Sequence, residues 1–167
     1  MSRRDTGDRF EMFLEELLCD CGFRCVRRNI VYTRWSRLRK KYLTRRQVDL
    51  EVREGILRRK SVFEAKYLTN GYRRSLPLNY RGQNLPQAVE EKRKFAEAAR
   101  GYLVTNAYFT DDLVEEAKRL GIGLYDREEL VEMDIRRGGD GKIGRKIRKM
   151  NLRDRGSSYS EKVYVLF

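Results

Sequence analysis

After Gly7, the apolar residues Phe10, Phe13, Leu14, Leu17 and Leu18 recur at spacings of three and four, which predicts an amphipathic helix ending near Gly22. At about 100° per residue, Glu11 falls on the border of that stripe, so its carboxylate can lean toward whatever the helix covers. Residues 23–26 and 30–35 read as strand-like pieces rich in arginine, and residues 37–46 as a basic connection. Val48, Leu50 and Val52 then alternate with Asp49 and Glu51, the period of a half-buried strand with both acids on its other face. Glu54-Gly55 supplies a turn and residues 61–67 a second strand, so the two form a hairpin in which Glu64 and Lys66 project from one face.

Residues 69–85, with Gly71, Pro77, Gly82 and several tyrosines and arginines, read as a long loop near substrate. Pro86 fits a helix start, and Ala88, Phe95, Ala96 and Ala99 form the buried stripe of that helix, with Lys92 in its middle. Residues 101–106 are a third strand. Thr110 can cap a helix with the stripe Leu113, Val114, Ala117 and Leu120, closed by Gly121. Residues 122–125 make a fourth strand, and Asp126 with Glu129 approximates a capping box opening a short helix through Met133. The strand–helix–strand–helix order predicts a parallel, right-handed unit added to the hairpin. Beyond Asp134 the composition turns glycine- and arginine-rich, only residues 162–167 again look like a strand, and there is no internal repeat.

At 167 residues with 40% apolar positions, one α/β domain is expected over 1–134, with a basic extension over 135–167. Charge changes the picture more than length does. The chain carries 38 Lys+Arg against 25 Asp+Glu, a net +13, which favours a polyanionic partner, nucleic acid first. The charge is segregated: residues 21–48 hold ten Lys/Arg and no acid, and residues 135–167 hold ten against three acids. An acidic remainder inside a basic frame suits a metal site facing a phosphate backbone; an ion-pair-rich surface is the plainer alternative.

The chain has no histidine, which excludes a Ser-His-Asp triad, a His-Cys pair and a histidine general base. Cys19, Cys21 and Cys25 lack a fourth zinc ligand nearby and read as structural or incidental thiols. With no leading apolar segment, neither a signal peptide nor a membrane helix is expected, and the cytoplasm is the expected compartment.

Phosphodiester cleavage by a metal needs carboxylates to fix one or two magnesium ions, a water to deprotonate and a cation to steady the developing charge. Asp49 and Glu64 on adjacent strands can supply the carboxylates, Lys66 can orient the water or neutralise charge, and Glu11 can complete the cluster from the first helix. Each has a plainer reading: a single E-x-K arises by chance, and Glu11 could only favour the helix dipole. Glu51 reads as a solvated strand residue. Lys92 is divided between a stem lying over the core and a role near the phosphate. The basic residues of 24–46 and 71–81, interleaved with Tyr32, Trp35, Tyr42, Tyr72 and Tyr80, suit backbone contacts and base stacking. Arg34, Arg37, Arg39, Lys40, Lys41, Arg45, Arg73, Arg74, Arg81 and Lys92 are the candidate DNA contacts.

This order of motifs resembles the Mrr-like restriction endonucleases of the PD-(D/E)xK superfamily over roughly residues 7–133. The resemblance rests on Gly7-x-x-Phe10-Glu11, Val48-Asp49-Leu50, Phe63-Glu64-Ala65-Lys66-Tyr67, Val104-Thr105-Asn106-Ala107-Tyr108-Phe109-Thr110 and Gly123-Leu124-Tyr125-Asp126-Arg127-Glu128-Glu129-Leu130. Archaeal Holliday junction resolvases look similar over the first two-thirds. The resemblance implies a restriction-endonuclease-like three-layer αβα fold around a mixed sheet. It also implies Glu11, Asp49 and Glu64 as ligands of Mg2+, for which Mn2+ can substitute, Lys66 as the catalytic lysine and Gln87 as an auxiliary site residue. The basic insertion at 34–46, the loop at 69–85 and residues 134–167 depart from it. A magnesium-dependent endodeoxyribonuclease is therefore expected, with DNA as partner, no membrane association and a homodimer formed if the terminal strand pairs between subunits. A branched-DNA resolvase, a non-catalytic DNA-binding protein and, more weakly, an RNA-directed enzyme are the alternatives.

Overall fold

The structure, a computed structural model, describes residues 3–36, 41–149 and 162–166. Helix α1 (Arg3–Asp20) leads into β1 (Arg24–Ser36), β2 (Lys41–Glu54) and β3 (Arg59–Lys66). A 3₁₀ turn (Gly71–Arg73) and the two-residue strands β4 (Ser75–Leu76), β5 (Asn79–Tyr80) and β6 (Gln83–Asn84) precede α2 (Leu85–Phe95). The chain continues as β7 (Arg100–Thr105), β8 (Tyr108–Phe109), α3 (Asp111–Leu120), β9 (Gly123–Tyr125), α4 (Arg127–Arg136), α5 (Ile143–Lys149) and β10 (Lys162–Leu166).

The central sheet runs β10-β1-β2-β3-β7-β9. The β1–β2 and β2–β3 pairs are antiparallel, whereas β3–β7, β7–β9 and β1–β10 are parallel, so the sheet is mixed as expected. Alternation along the inner strands drives apolar side chains into both faces. Phe63 and Val104 join Phe10, Phe13, Leu14 and Leu17 of α1 and Leu130, Ile143 and Ile147 of α4 and α5. On the opposite face Leu103 packs with Leu85 and Val89 of α2 and with Leu113 and Ala117 of α3. The result is three layers, with helices on both sides of the sheet.

Local chemistry sets the boundaries. Asn84 caps α2 by accepting from the Gln87 N–H at 3.1 Å, with Pro86 in the first turn where its missing N–H costs nothing. Asp126 and Glu129 form a full capping box on α4. Gly121 ends α3 at φ 67, a left-handed conformation that glycine adopts freely.

Several expectations are corrected. Residues 41–46 belong to β2 rather than to a connection, and residues 23–35 form one bulged strand from Arg24 instead of two pieces. The segment 69–85 is structured, with β4 pairing β8 and β5 pairing β6. α2 ends at Phe95, leaving Ala99 outside the helix and exposed, and Val114 on α3 is 43% exposed. The terminal strand β10, expected over residues 162–167, pairs in parallel with β1 and forms one edge of the sheet.

Candidate active site

The site grows from a break in the sheet. The β2–β3 ladder stops at Leu50 opposite Phe63, one residue before Asp49 would meet Glu64. On the other side of β2, Asn29, which falls between the pairs Arg28–Leu50 and Ile30–Val48, takes a left-handed φ of 55. The core records the same kink. Leu50 and Val52 join the cluster beneath α1, but Val48 joins the cluster with Phe95 and Ala96 at the end of α2, so strict alternation fails at Asp49. The freed Ala65 N–H donates instead to Asp49 Oδ2 at 2.8 Å, which locks this carboxylate between the two strands.

Glu64 and Lys66 lie two apart on β3, as expected, and Lys66 Nζ donates to Glu64 Oε1 at 2.5 Å. Lys92 reaches down from α2 and donates to Glu64 Oε2, so both Glu64 oxygens hold a lysine. The apolar stripe of α2 aims Lys92 here, which places its ammonium on Glu64 rather than merely over the core. Glu11 enters from α1, beside fully buried Phe10, and its Oε2 is buried without a hydrogen-bond partner.

The electrostatics follow from crowding. Burial, then the charges of Asp49, Asp8 and Glu64, push the Glu11 carboxyl from 4.5 to about 8, against a smaller opposing effect of Arg28. Asp49 rises from 3.8 to about 6 through burial and Glu64, partly offset by Lys92, Lys66 and the Ala65 N–H. Burial also pushes Glu64 up, but Lys92 and Lys66 outweigh it and hold the carboxyl below its ordinary value. Burial pulls Lys66 down, yet Glu64 and Asp49 together outweigh it and hold the ammonium above its ordinary value.

Glu11, Asp49, Glu64, Lys66 and Lys92 are therefore brought together from α1, β2, β3 and α2. Gln87 is exposed on the first turn of α2, and its side chain makes no hydrogen bond to the cluster among the described residues. Arg45, Arg73, Arg74 and Arg81 are exposed, with Arg81 lying 5.2 Å from the Tyr80 ring centroid. Arg37, Arg39 and Lys40, and the side chains of Arg34 and Lys41, lie outside the described residues.

Glu51 is corrected outright. It is fully buried, accepts from Arg27 Nη2 at 2.5 Å and from the Tyr32 hydroxyl, and has Arg53 at 3.6 Å. Sequence reasoning missed Asn106, whose Oδ1 accepts from the Leu68 N–H at 2.7 Å while its Nδ2 donates to the Leu68 carbonyl at 2.9 Å. Asn106 thereby fixes the chain two residues beyond Lys66, and Gly71 packs so closely on it that a Cβ there would lie 2.6 Å from Nδ2. An amide at the end of a buried strand was the available signal.

The oxygen-only donor set suits a hard dication such as magnesium, and the orphaned Glu11 Oε2 with two carboxyls pushed upward marks a site short of positive charge. As placed, no three His, Cys, Asp or Glu side chains among the described residues are grouped closely enough to hold a metal ion, and lysines occupy both oxygens of Glu64.

A mixed sheet between helical layers, with acids and a lysine gathered where its middle strands part, defines a restriction-endonuclease-like nuclease domain. The match to the Mrr catalytic-domain model, described as a restriction endonuclease, covers residues 3–133, and the chain belongs to this family. Two solved structures share the fold. The protein of unknown function AF1548 has 14% identity and a TM-score of 0.56, covering 76% of this chain and 65% of that one. VC1899 from Vibrio cholerae also has 14% identity, with a TM-score of 0.53, covering 83% of this chain and 33% of that one. This chain thus spans just under two thirds of the first and a third of the second. No curated protein matches. No helix among the described residues is long and apolar enough to cross a membrane.

Proposed function

We propose that this chain is a divalent-metal-dependent endonuclease that hydrolyses DNA phosphodiester bonds. The observation that carries the reading is the convergence of Glu11, Asp49 and Glu64 with Lys66 and Lys92 at the parting of β2 and β3. Glu11, Asp49 and Glu64 would hold Mg2+ or Mn2+. A bound dication supplies Lewis acidity and lowers the pKa of a coordinated water. The remaining chemistry belongs to the chain. Asp49 is pinned through one oxygen by the Ala65 N–H, leaving the other as the oxygen that would bind the ion. Glu64 must shed a lysine to become a ligand, and the shed ammonium is then beside the phosphoryl group, where charge develops. Lys66, beside Glu64 on the same strand, can orient the attacking water or neutralise developing charge.

Exposed Arg45, Arg73, Arg74, Arg81 and Gln87 supply the phosphate-facing surface of this reading, and the sequence offers the basic residues of 34–41 as further contacts. Cutting both strands requires two such sites, which a homodimer provides, and light scattering after size exclusion measures that state.

Incubation of labelled duplex, junction, flap and single-stranded DNA with magnesium and then manganese tests the proposal. Nicking that chelator stops, and that Asp49→Asn and Lys66→Ala abolish while binding persists, supports it; undiminished cleavage by both variants removes the assignment. The lysine-occupied Glu64 favours a second reading, a DNA-binding protein that keeps the nuclease fold without cutting. That reading predicts salt-sensitive binding and no cleavage in any divalent metal.

A further inference from the structure

Helix α5 lies beyond the residues that match the family, yet it is bolted to the body. Its Ile143 and Ile147 are buried against α1 and α4. Fully buried Asp134 on α4 accepts from Lys146 Nζ at 2.6 Å, from the Gly141 N–H at 3.0 Å and from Arg137 Nε at 3.0 Å. Burial pushes the Asp134 carboxyl up, but the hydrogen bonds from Lys146 and Arg137 outweigh it and hold the group below its ordinary value. Gly139 is packed so tightly here that a Cβ would lie 2.4 Å from the Asp134 carboxylate. An element fastened this firmly holds its last turn in one place.

That last turn borders a cavity of about 110 Å³, with walls that include Tyr67, Asn70, Asn106, Arg127, Gly144 and Arg148. A space of that size holds several waters and so has room for a phosphate group. Both charged residues on its wall are arginines, Arg127 from α4 and Arg148 from α5. The cavity also adjoins the active cluster. Tyr67 directly follows Lys66, and its ring packs 5.8 Å from that of Phe10, the residue before Glu11. Arg9, two residues before Glu11, donates through Nη1 to the Arg148 carbonyl and keeps a buried Nε without a partner, adding a third guanidinium to this side.

We infer that α5 completes a phosphate subsite, in which Arg148 and Arg127 receive a backbone phosphate of the nucleic-acid strand whose neighbouring linkage lies at the carboxylate cluster. Planar guanidinium donors recognise phosphate oxygens bidentately, which suits positioning of the strand rather than sequence readout. The inference rests on the proposed reading of the chain as a DNA nuclease.

The test measures duplex binding by fluorescence anisotropy across a salt series, in the Asp49→Asn background so that cleavage does not interfere. Arg148→Ala removes an exposed side chain, and Lys149→Ala, which changes the same net charge one residue away but off the cavity wall, is the control. The expected result is a logarithmic salt slope shallower by about 0.9, the contribution of one phosphate contact, and several-fold weaker binding for Arg148→Ala, with a clearly smaller change for Lys149→Ala. Lys146→Met, which unfastens α5 from Asp134, should reproduce the Arg148→Ala slope. If Arg148→Ala and Lys149→Ala behave alike while the unmodified site still binds and cuts DNA, the subsite is overturned and the nuclease reading stands. If the parent chain binds no DNA at all, the nuclease reading fails and the subsite falls with it.

Discussion

Glu11→Gln isolates the electrostatic cost that the proposed metal site imposes on the free protein. The Glu11 carboxyl sits at about 8 in the folded chain against an ordinary 4.5. Between those values the folded chain keeps a proton that the unfolded chain has released, so stability is greatest below pH 4.5, falls as pH rises through the window and levels above about 8. At pH 7 the cost is about 2.5 pH units at 1.36 kcal/mol each, or roughly 3 kcal/mol. Because Asp49 shares the repulsion, roughly 2–3 kcal/mol is the expected gain when an amide of the same shape replaces the acid. At roughly 2–4 °C per kcal/mol for a chain of this size, Tm in chelator at pH 7 should rise by about 5–10 °C. At pH 5 the gain should shrink below about 1 kcal/mol, because the acid is then protonated in the fold and pH lies only about half a unit above its value of 4.5 in the unfolded chain. Urea melts of both proteins at the two pH values, repeated with manganese, provide the assay. Manganese should stabilise the parent chain and leave Glu11→Gln unmoved, reversing their order. Equal stability of the two proteins at pH 7 in chelator, or an equal manganese gain in both, refutes the reasoning.

Manganese binding followed by calorimetry in buffers of different ionisation heat should release about one proton between pH 6 and 8, with affinity rising up to about 8, since Glu11 must deprotonate. A pH-independent affinity over that range contradicts the assignment of Glu11 as a ligand. Lys92→Met should cut less DNA by at least about tenfold, the scale of a lost transition-state charge contact, while binding manganese as tightly or more tightly because Glu64 loses a competing ammonium; single-turnover cleavage and calorimetry separate the two. Glu51→Gln removes the charge on which Arg27 and Arg53 converge and should cost roughly 2–4 kcal/mol in urea unfolding, the partial exposure of both arginines keeping it below the fully buried range. Asp49→Asn keeps an acceptor for the Ala65 N–H and removes a carboxyl pushed up to about 6, so it should be more stable than the parent at pH 7, whereas Asp49→Ala also orphans that N–H and should be less stable than Asp49→Asn by about 1–3 kcal/mol in the same melt.

Much of the fold was readable because burial imposes a period. Phe10 to Leu18 announce α1, Glu54-Gly55 announces the β2–β3 turn, and Asp126 with Glu129 announces the start of α4, each at the place where the structure has it. Residues 41–46 were hidden because this half of β2 carries no apolar alternation: Lys41, Thr44, Arg45 and Arg46 pair with β1 through backbone hydrogen bonds, to which the side-chain pattern is blind. The strands within 69–85 are two residues long, too short for any period to register. α5 and β10 lie in a glycine- and arginine-rich stretch where only Ile143 and Ile147 signal a buried face.

The candidate site was legible in its residue types and misread in its geometry, and one kink accounts for the difference. Unbroken alternation puts Asp49 and Glu51 on one face, so a solvated Glu51 follows from an exposed Asp49 by counting alone. In the structure β2 changes face at Asp49, sending Glu51 under Tyr32 and Arg27 while Asp49 turns into the fork between β2 and β3. The Ala65 N–H that the broken ladder frees supplies the hydrogen bond that holds Asp49 there, so the defect in the sheet also positions the carboxylate. A regular strand would have left Asp49 facing its neighbours across a ladder, with Glu11 of α1 and Lys92 of α2 on opposite sides of the sheet. Because the strands part, residues from both layers come within reach of Asp49 and Glu64, and that is where departure from the periodic pattern and capacity for chemistry coincide.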